Sequence, residues 1–257
     1  MTVYEQWVAY YTLLRREVLR FSRIWVQTIL PPVITTALYF VIFGRLIGPQ
    51  IGDMQGFKYI DYIVPGLIMM AVITNSYANV VSSFYSSKFQ HNIEEMLVSP
   101  TPNYIILLGY VSGGVCRGLS VGIAVTAVSW FFTDLDFTNV AVIVSTVLCT
   151  TILFSLAGLI NGIYAQSFDD ISIIPTFVLT PLTYLGGVFY SIDMLSPFWQ
   201  NLSHLNPILY MVNTFRYGFL GVSDISLLLS YSIIICFIII LSIFALNLLN
   251  KGHGIRT

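Results

Sequence analysis

The sequence has 257 residues, of which 56% are apolar and only 9% are charged, and its formal net charge is −1. An ordinary soluble domain carries about 25% charged residues, so this composition indicates a polytopic membrane protein. The near-neutral charge balance argues against nucleic acid as a partner. The three cysteines stand apart in apolar runs, so neither a disulfide framework nor a zinc site is indicated.

The N-terminal segment, residues 1–23, predicts an amphipathic helix that lies in the cytosolic interface of the membrane. Tyr4 and Trp7 belong to an apolar stripe along this helix, while Arg16 and Arg20 belong to another face. Aromatic and arginine side chains anchor such helices at the level of the lipid headgroups. The alternative is a signal for membrane topology that has no further role.

Six segments are long and apolar enough to cross the roughly 30 Å hydrocarbon layer as α-helices. Their approximate bounds are 24–47, 61–85, 104–132, 139–164, 171–191 and 226–249. The apolar runs are continuous and do not alternate, which argues against a β-barrel. We therefore predict an all-α polytopic membrane protein with six transmembrane helices in a single domain, residues 1–257.

Basic residues are unevenly distributed between the two sides of these spans. With the N-terminus in the cytosol, the inner segments carry Arg15, Arg16, Arg20, Arg23, Lys88, Lys251 and Arg256, and the outer segments carry Arg45, Lys58 and Arg216. Cytosolic loops of membrane proteins are enriched in Lys and Arg. The excess therefore places both termini in the cytosol.

A polar island, KFQHNIEEMLVSPTP, separates the second and third spans. Its apolar residues Phe89, Ile93, Met96 and Leu97 recur at the spacing of one helical face, and the Pro-containing end stops the helix. The pattern predicts a short helix on the cytosolic side that a partner can push. The alternative is a solvated connecting loop, in which the acidic pair Glu94 and Glu95 has no partner to bind.

The segment 192–225 is too long for a simple outer loop. Its first part has helical apolar periodicity, Asn206-Pro207 interrupts the pattern, and residues 208–220 resume it. We predict two short re-entrant helices in the outer leaflet. A break at membrane depth must be covered by protein or line a cavity.

Small residues recur at four-residue spacing in two spans. Gly114, Gly118 and Gly122 form such a stripe in the third span, and Gly158 and Gly162 form one in the fourth. Glycine stripes let a second helix approach closely. We expect packing within one subunit to use these stripes, although an interface between subunits is the alternative.

The spans contain no carboxylate near their centres, and the sequence has none of the common nucleotide-binding, serine-hydrolase or zinc-protease motifs. A chain that performs work without them needs energy from a partner. Arg117 is the one cation deep in a predicted span, which makes it a functional candidate. The alternative is that it reaches the cytosolic interface or pairs with Asp169, Asp170 or backbone carbonyls.

Taken together, these segments resemble the membrane subunits of ABC-2 type ATP-binding-cassette transporters along essentially the whole chain. The polar island is similar to the cytosolic coupling segment of that family. The run FDDISIIPTFVLTPLTYLGGVFY and the later run LNPILYMVNTFRYGFLG are similar to its fifth-span and re-entrant signature. The resemblance identifies residues 1–257 as one ABC-2 type transmembrane domain.

The resemblance implies an exporter in which two copies of the permease sit on two cytosolic ATPase subunits. ATP and Mg would be bound by the separate ATPase, with no cofactor in this chain, in a bacterial inner membrane. Coupling to the ATPase would fall on Phe89, Ile93, Glu94, Glu95 and Leu97. Re-entrant and gating roles would fall on Trp199, Asn206, Pro207, Arg216 and Gly221.

Two other classes of function remain open from the sequence. An autonomous secondary carrier or channel would need an ion-coupling site, and the spans lack the carboxylates that such carriers often use. An intramembrane enzyme acting on lipid-linked sugars would need clustered acids, bases or metal ligands, which the sequence does not place together. Transport or product formation by the purified chain without ATP would favour one of these.

Overall fold

A computed structural model describes residues 1–135 and 137–252 of the protein. Arg256, which the orientation prediction used, lies outside the described residues. The described helices are α1 (Val3–Arg23), α2 (Trp25–Tyr39), α3 (Gly48–Ile51), α4 (Tyr59–Phe89), α5 (Asn92–Val98), α6 (Asn103–Ser129), α7 (Val140–Tyr164), α8 (Asp170–Ile174), α9 (Thr180–Leu185), α10 (Pro197–His204), α11 (Pro207–Leu220) and α12 (Leu227–Lys251). Two-residue strands, β1 (Asp53–Met54) and β2 (Phe57–Lys58), form a small antiparallel hairpin between α3 and α4.

Helix α1 confirms the predicted N-terminal helix and starts at a capping box. The Thr2 hydroxyl accepts a hydrogen bond from the Glu5 backbone N–H at 3.3 Å, and the Glu5 carboxylate accepts one from the Thr2 N–H at 2.7 Å. These bonds satisfy amides that have no partner within the helix. The aromatic residues Tyr4, Trp7 and Tyr11 are exposed, as an interfacial helix requires.

Five helices are long and apolar enough to cross a membrane among the described residues. They are Trp25–Ile51, Tyr59–Phe89, Asn103–Ser129, Val140–Tyr164 and Leu227–Lys251. Each corresponds to a predicted span, with ends that shift by a few residues. The first includes α2, a π-helical stretch at Phe40–Ile47 and α3.

The fifth predicted span, 171–191, is shorter in the structure than expected. The helix runs through α8, a π-helical turn at Pro175–Leu179 and α9, and it ends at Leu185. At about 1.5 Å per residue, the length from 170 to 185 is about 24 Å, less than the hydrocarbon thickness. The helix stops because Gly186 and Gly187 follow, and Gly187 takes a positive φ of 70° that ordinary side chains disfavour.

Helix α4 forms the centre of the bundle, with α6, α7 and α11 packed around it. The glycine stripes face these contacts. A Cβ on Gly158 of α7 would lie 2.6 Å from the Tyr77 carbonyl oxygen of α4, and a Cβ on Gly162 would lie 3.2 Å from the Phe84 ring. The preferred prediction, packing within one subunit, is therefore confirmed for these glycines.

The segment predicted as re-entrant folds into two helices, α10 and α11, with the break at Asn206-Pro207. Helix α11 is buried along most of its length against α4, α7 and α12. It packs near the N-terminal end of α4, opposite the end that joins α5. The remaining helix, α12, lies outside α7 and exposes many apolar side chains.

Candidate functional site

The polar island folds as a corner between α4 and α5, which we call the coupling corner, Phe89–Ser99. The predicted single helical face is interrupted, because α4 ends at Phe89 and α5 begins at Asn92. His91 bridges them in the left-handed conformation, with φ 61°. Its ring Nδ1 lies 3.1 Å from a Glu94 carboxylate oxygen.

The predicted coupling residues point in different directions at this corner. Ile93 is only 1% exposed and packs into the core beside α6, with Leu97 partly buried against the same cluster. Phe89 is 61% exposed, and Glu95 and Val98 are exposed as well. Ile93 thus holds α5 to the bundle, while the outer surface offers Phe89, Glu95 and Val98 to a partner.

The coupling corner is also fixed to the end of α7. The Lys88 ammonium donates hydrogen bonds of 2.7 Å to the carbonyl oxygens of Ile163 and Ala165. Carbonyls at a helix C-terminus have no partner within the helix, so a cation there satisfies and stabilises them. Phe168, in the loop after α7, packs against the Phe89 ring with a centroid distance of 5.3 Å.

Asp170, the first residue of α8, bonds to the turn that precedes this helix. The Asp170 carboxylate accepts hydrogen bonds from the backbone N–H groups of Gln166 and Ser167, at 2.9 and 3.0 Å, and the Ser167 hydroxyl accepts one from the Asp170 N–H. The bond from Gln166, with those from Ser167, lowers the pKa of the Asp170 carboxyl group. These reciprocal hydrogen bonds fix the turn that leads into α8.

Sequence reasoning missed a cluster of polar side chains around the buried Glu17, which we call the inner polar cluster: Arg16, Glu17 and Arg20 of α1 with Asn79 and Ser83 of α4. Glu17 is 1% exposed and accepts a 2.7 Å hydrogen bond from the Ser83 hydroxyl. Arg16 lies 3.2 Å and Arg20 3.5 Å from its carboxylate. Arg20 also donates to the backbone and side-chain oxygens of Asn79.

Arg16 completes this cluster by reaching α6. Its guanidinium donates a 2.8 Å hydrogen bond to the Tyr110 hydroxyl. Burial lowers its pKa, but the interactions with Tyr110 and Glu17 outweigh burial and leave the pKa above its ordinary value. The helical spacing predicted that the Arg16 and Arg20 side chains would both face the membrane interface. Both turn toward the bundle instead, because Glu17 lies between them.

Arg117 of α6 makes a different contact from the ones considered for it. Its guanidinium donates a 3.1 Å hydrogen bond to the side-chain oxygen of Asn75 on α4. The expected pairing with Asp169 or Asp170 is wrong, because the neutral amide of α4 lies closer along the helix packing. The Arg117 Nε is buried without a hydrogen-bond partner among the described residues.

Arg216, expected in an outer loop, is 2% exposed inside the bundle. It donates to the Gly187 carbonyl at 2.5 Å and to the Tyr62 carbonyl at 3.3 Å. Its guanidinium also lies 3.9 Å from the centre of the Tyr62 ring, where the face of an aromatic ring attracts a cation. These contacts tie α11 to α4 and to the turn after α9.

The ends of α11 carry the other signature residues. The Asn206 side-chain oxygen accepts from the Ile208 N–H at 3.0 Å, and its amide donates to the Leu182 carbonyl at 2.6 Å. Pro207 occupies the first turn, where its missing N–H costs nothing. Gly221 ends the helix with φ 72°.

A second polar contact at this end was not predicted from the sequence. Gln55, in the turn between β1 and β2, donates to the Asp224 carboxylate at 2.5 Å. The Asp224 backbone N–H in turn donates to the Asn213 side chain at 2.9 Å. The hairpin is thereby joined to α11, while Trp199 on α10 remains half-exposed.

The predicted site residues therefore form three separate groups along the bundle. The coupling residues lie at the C-terminal end of α4, Arg117 lies within α6, and the signature residues of α10 and α11 lie near the N-terminal end of α4. This arrangement, a short surface helix at one end of a helical bundle and capped buried helices at the other, suits a transport subunit rather than a reaction centre.

Comparison with known proteins supports that class. Residues 8–220 match the family described as ABC-2 type transporter, so the chain belongs to this family. It is 58% identical over 251 residues to the inner membrane transport permease YadH of Escherichia coli K12, covering 98% of each chain. The resemblance stated from the sequence is thus confirmed, and the protein is a multi-pass ABC transporter membrane subunit of a bacterial inner membrane.

More distant relatives are similar over nearly the same length. Nodulation protein J of Neorhizobium galegae is 23% identical over 241 residues, which cover 93% of this chain and 90% of that protein. Nodulation protein J of Rhizobium meliloti is 20% identical over 216 residues, which cover 84% and 81%. Both matches extend over most of each chain and are not confined to an isolated segment.

Proposed function

We propose that this protein is the permease subunit of an ABC exporter, that two copies pair, and that a separate cytosolic ATPase binds ATP and Mg and supplies the energy. The observation that carries the proposal is the coupling corner. The end of α4 exposes Phe89, and the seven-residue helix α5 exposes Glu95 and Val98 while Ile93 fastens it to the bundle. Such a helix can receive a push at its surface and transmit it inward.

The route of that push runs through α4. Two residues join α4 to α5, and Lys88 fixes the coupling corner to α7. Because protein interiors are close-packed, movement of a buried element displaces its neighbours. Movement of α5 would therefore shift α4 against α6 and α7.

The pairing surface would lie on α2 and α4. A cavity of about 230 Å³ opens between these helices beside Pro31 and Pro32, and Thr35, Thr74 and Asn75 contribute polar groups to its lining. Polar side chains on the outside of a span are costly against lipid and favour contact with another helix. A second copy covering this face would enclose a path between the subunits.

The outer end of that path would be closed by α10 and α11. We propose that the helix 170–185 completes a sixth crossing and that both termini are cytosolic, in agreement with the distribution of basic residues. Arg216 holds α11 to the turn after α9, and Asn206 holds its start to α9 itself. The exposed Trp199 of α10 would then contact substrate or the partner copy.

The test is to reverse the charge at the coupling corner with Glu95→Arg. The protein should insert and fold normally because Glu95 is exposed. We expect loss of the coupling between ATP hydrolysis and transport in vesicles that contain the permease and its ATPase. The matched control is Asp53→Arg on the opposite hairpin, which makes the same charge change and should leave coupling intact. Normal coupling in the Glu95 variant would contradict the assignment.

A further inference from the structure

A second cavity, of about 510 Å³, lies where α1 meets the C-terminal end of α4. We call it the arginine pocket, and its polar wall includes Arg16, Arg20, Arg23 and Gln90. α1 leads into the first span at Ile24, and α4 is itself a candidate span that ends at Phe89. The pocket therefore lies at the membrane surface, at the level of lipid headgroups.

The charges that line the arginine pocket do not balance. Its charged lining residues are three arginines and one carboxylate, Glu17. Arg16 and Arg20 both approach this carboxylate, while Arg23 is exposed and forms no hydrogen bond or ion pair among the described residues. The Arg20 side chain also contacts Asn79 but remains 32% exposed. The pocket therefore has hydrogen-bond donors and positive charge that Glu17 does not balance, and these can bind an anion.

The shape of the pocket favours a lipid over a soluble anion. Leu19 and Ile24 line it beside the arginines, and both are exposed. The apolar face of α2 continues from Ile24 with exposed Val26 and Leu30. A soluble phosphate would gain nothing from these side chains, whereas a phospholipid would place its headgroup on the arginines and its acyl chains on the apolar rim.

We propose that the arginine pocket binds the phosphate headgroup of an anionic phospholipid. Arg23 and the exposed part of Arg20 would contact the phosphate, because guanidinium groups match its oxygens in geometry and charge. The bound lipid would fix α1 to the membrane at the point where it joins α2. This site goes beyond the proposed transport function and does not depend on the ATPase.

The experiment is native mass spectrometry of the full-length purified protein in detergent, titrated with phosphatidylglycerol or with phosphatidylcholine. The first variant, Arg23→Gln, removes an exposed cation that has no structural partner. The second, Gln90→Glu, adds an anion to the pocket and keeps the side-chain oxygen that accepts from Asn92. The control, Arg15→Gln, removes the same charge from an exposed, unpaired position on α1 outside the pocket lining.

We expect the native protein to retain phosphatidylglycerol in preference to phosphatidylcholine. Both pocket variants should bind it about fivefold more weakly, the effect of one basic residue at a membrane surface, while Arg15→Gln should bind as the native protein does. Millimolar inorganic phosphate should not displace the lipid. Arg23 ends α1 and Gln90 follows α4, so a folding defect in one variant leaves the other as a test.

Three results would overturn the proposal. The first is unchanged retention in both pocket variants, and the second is equal retention of the two lipids. The third is displacement by inorganic phosphate, which would assign the pocket to a soluble anion. The measurement uses no ATPase, so its failure would leave the transport proposal untouched.

Discussion

Arg216 illustrates at the scale of one residue how burial depends on contacts that a sequence does not display. The count of basic residues placed it in an outer segment, but two carbonyl oxygens and the Tyr62 ring contact it inside the bundle. Arg117 gives the same lesson, since its partner is the neutral amide of Asn75 rather than a carboxylate. The sequence alternatives for Arg117 were carboxylates and backbone carbonyls, and the side-chain amide of Asn75 was not among them.

We expect Arg216→Ala to destabilise the protein. Its loss leaves the Gly187 carbonyl without this donor, and an unsatisfied buried group costs about 1–3 kcal/mol, to which the vacated volume adds. Arg216→Lys should be milder, because it keeps the charge but not the forked donors. Thermal unfolding in detergent measures both. A melting temperature for the Ala variant equal to that of the native protein would contradict the structural role.

At the scale of elements, apolar runs and spacing predicted six long helices, five of which the described residues contain at that length, and the pair α10 and α11. Their ends were less predictable. The spacing of Phe89 and Ile93 fits one continuous helix, and periodicity cannot reveal the left-handed His91 between them. Hydropathy likewise extended the fifth span past Gly186-Gly187, because the residues that follow are apolar although the helix has ended.

Two glycines allow a matched test of helix packing. A Cβ on Gly158 would lie 2.6 Å from the Tyr77 carbonyl oxygen, which cannot move without its helix, whereas a Cβ on Gly122 would lie 3.0 Å from a Val72 methyl group. We expect Gly158→Ala to cost about 1–3 kcal/mol. Gly122→Ala should be near neutral, because alanine favours the helix by about 1 kcal/mol and the methyl can adjust.

Thermal unfolding of the two glycine variants, purified in the same detergent, provides the measurement. The account predicts a clearly lower melting temperature for Gly158→Ala alone. An equal decrease in melting temperature in both variants would contradict this account. It would mean that the space available at these glycines does not determine how closely the neighbouring helices pack on α4.

At the scale of the whole molecule, the sequence was sufficient for the class of protein but not for its assembly. Membrane composition, the coupling corner and the outer signature pointed to one family, which the comparisons confirmed. The inner polar cluster and the arginine pocket were not predictable, because they arise where α1 folds back on α4 and α6. Contacts between distant segments depend on tertiary packing.

The proposed pairing makes a prediction about the α2 face. With Cys116, Cys149 and Cys236 replaced by Ser, a single cysteine at Leu38, which is exposed on α2, should form a disulfide-linked dimer in membranes. A cysteine at Ile240, exposed on α12, should not. Crosslinking only at Ile240 would contradict this prediction and place the pairing surface on α12.

The central claim is that a separate ATPase drives this permease. The most direct measurement is gentle purification from native membranes after chemical crosslinking, followed by identification of the subunits that co-purify. The account predicts a soluble subunit with a Walker nucleotide-binding motif in stoichiometric amount, reduced in the Glu95→Arg variant and unchanged in Asp53→Arg. An intact, crosslinked permease that carries no such subunit would contradict it.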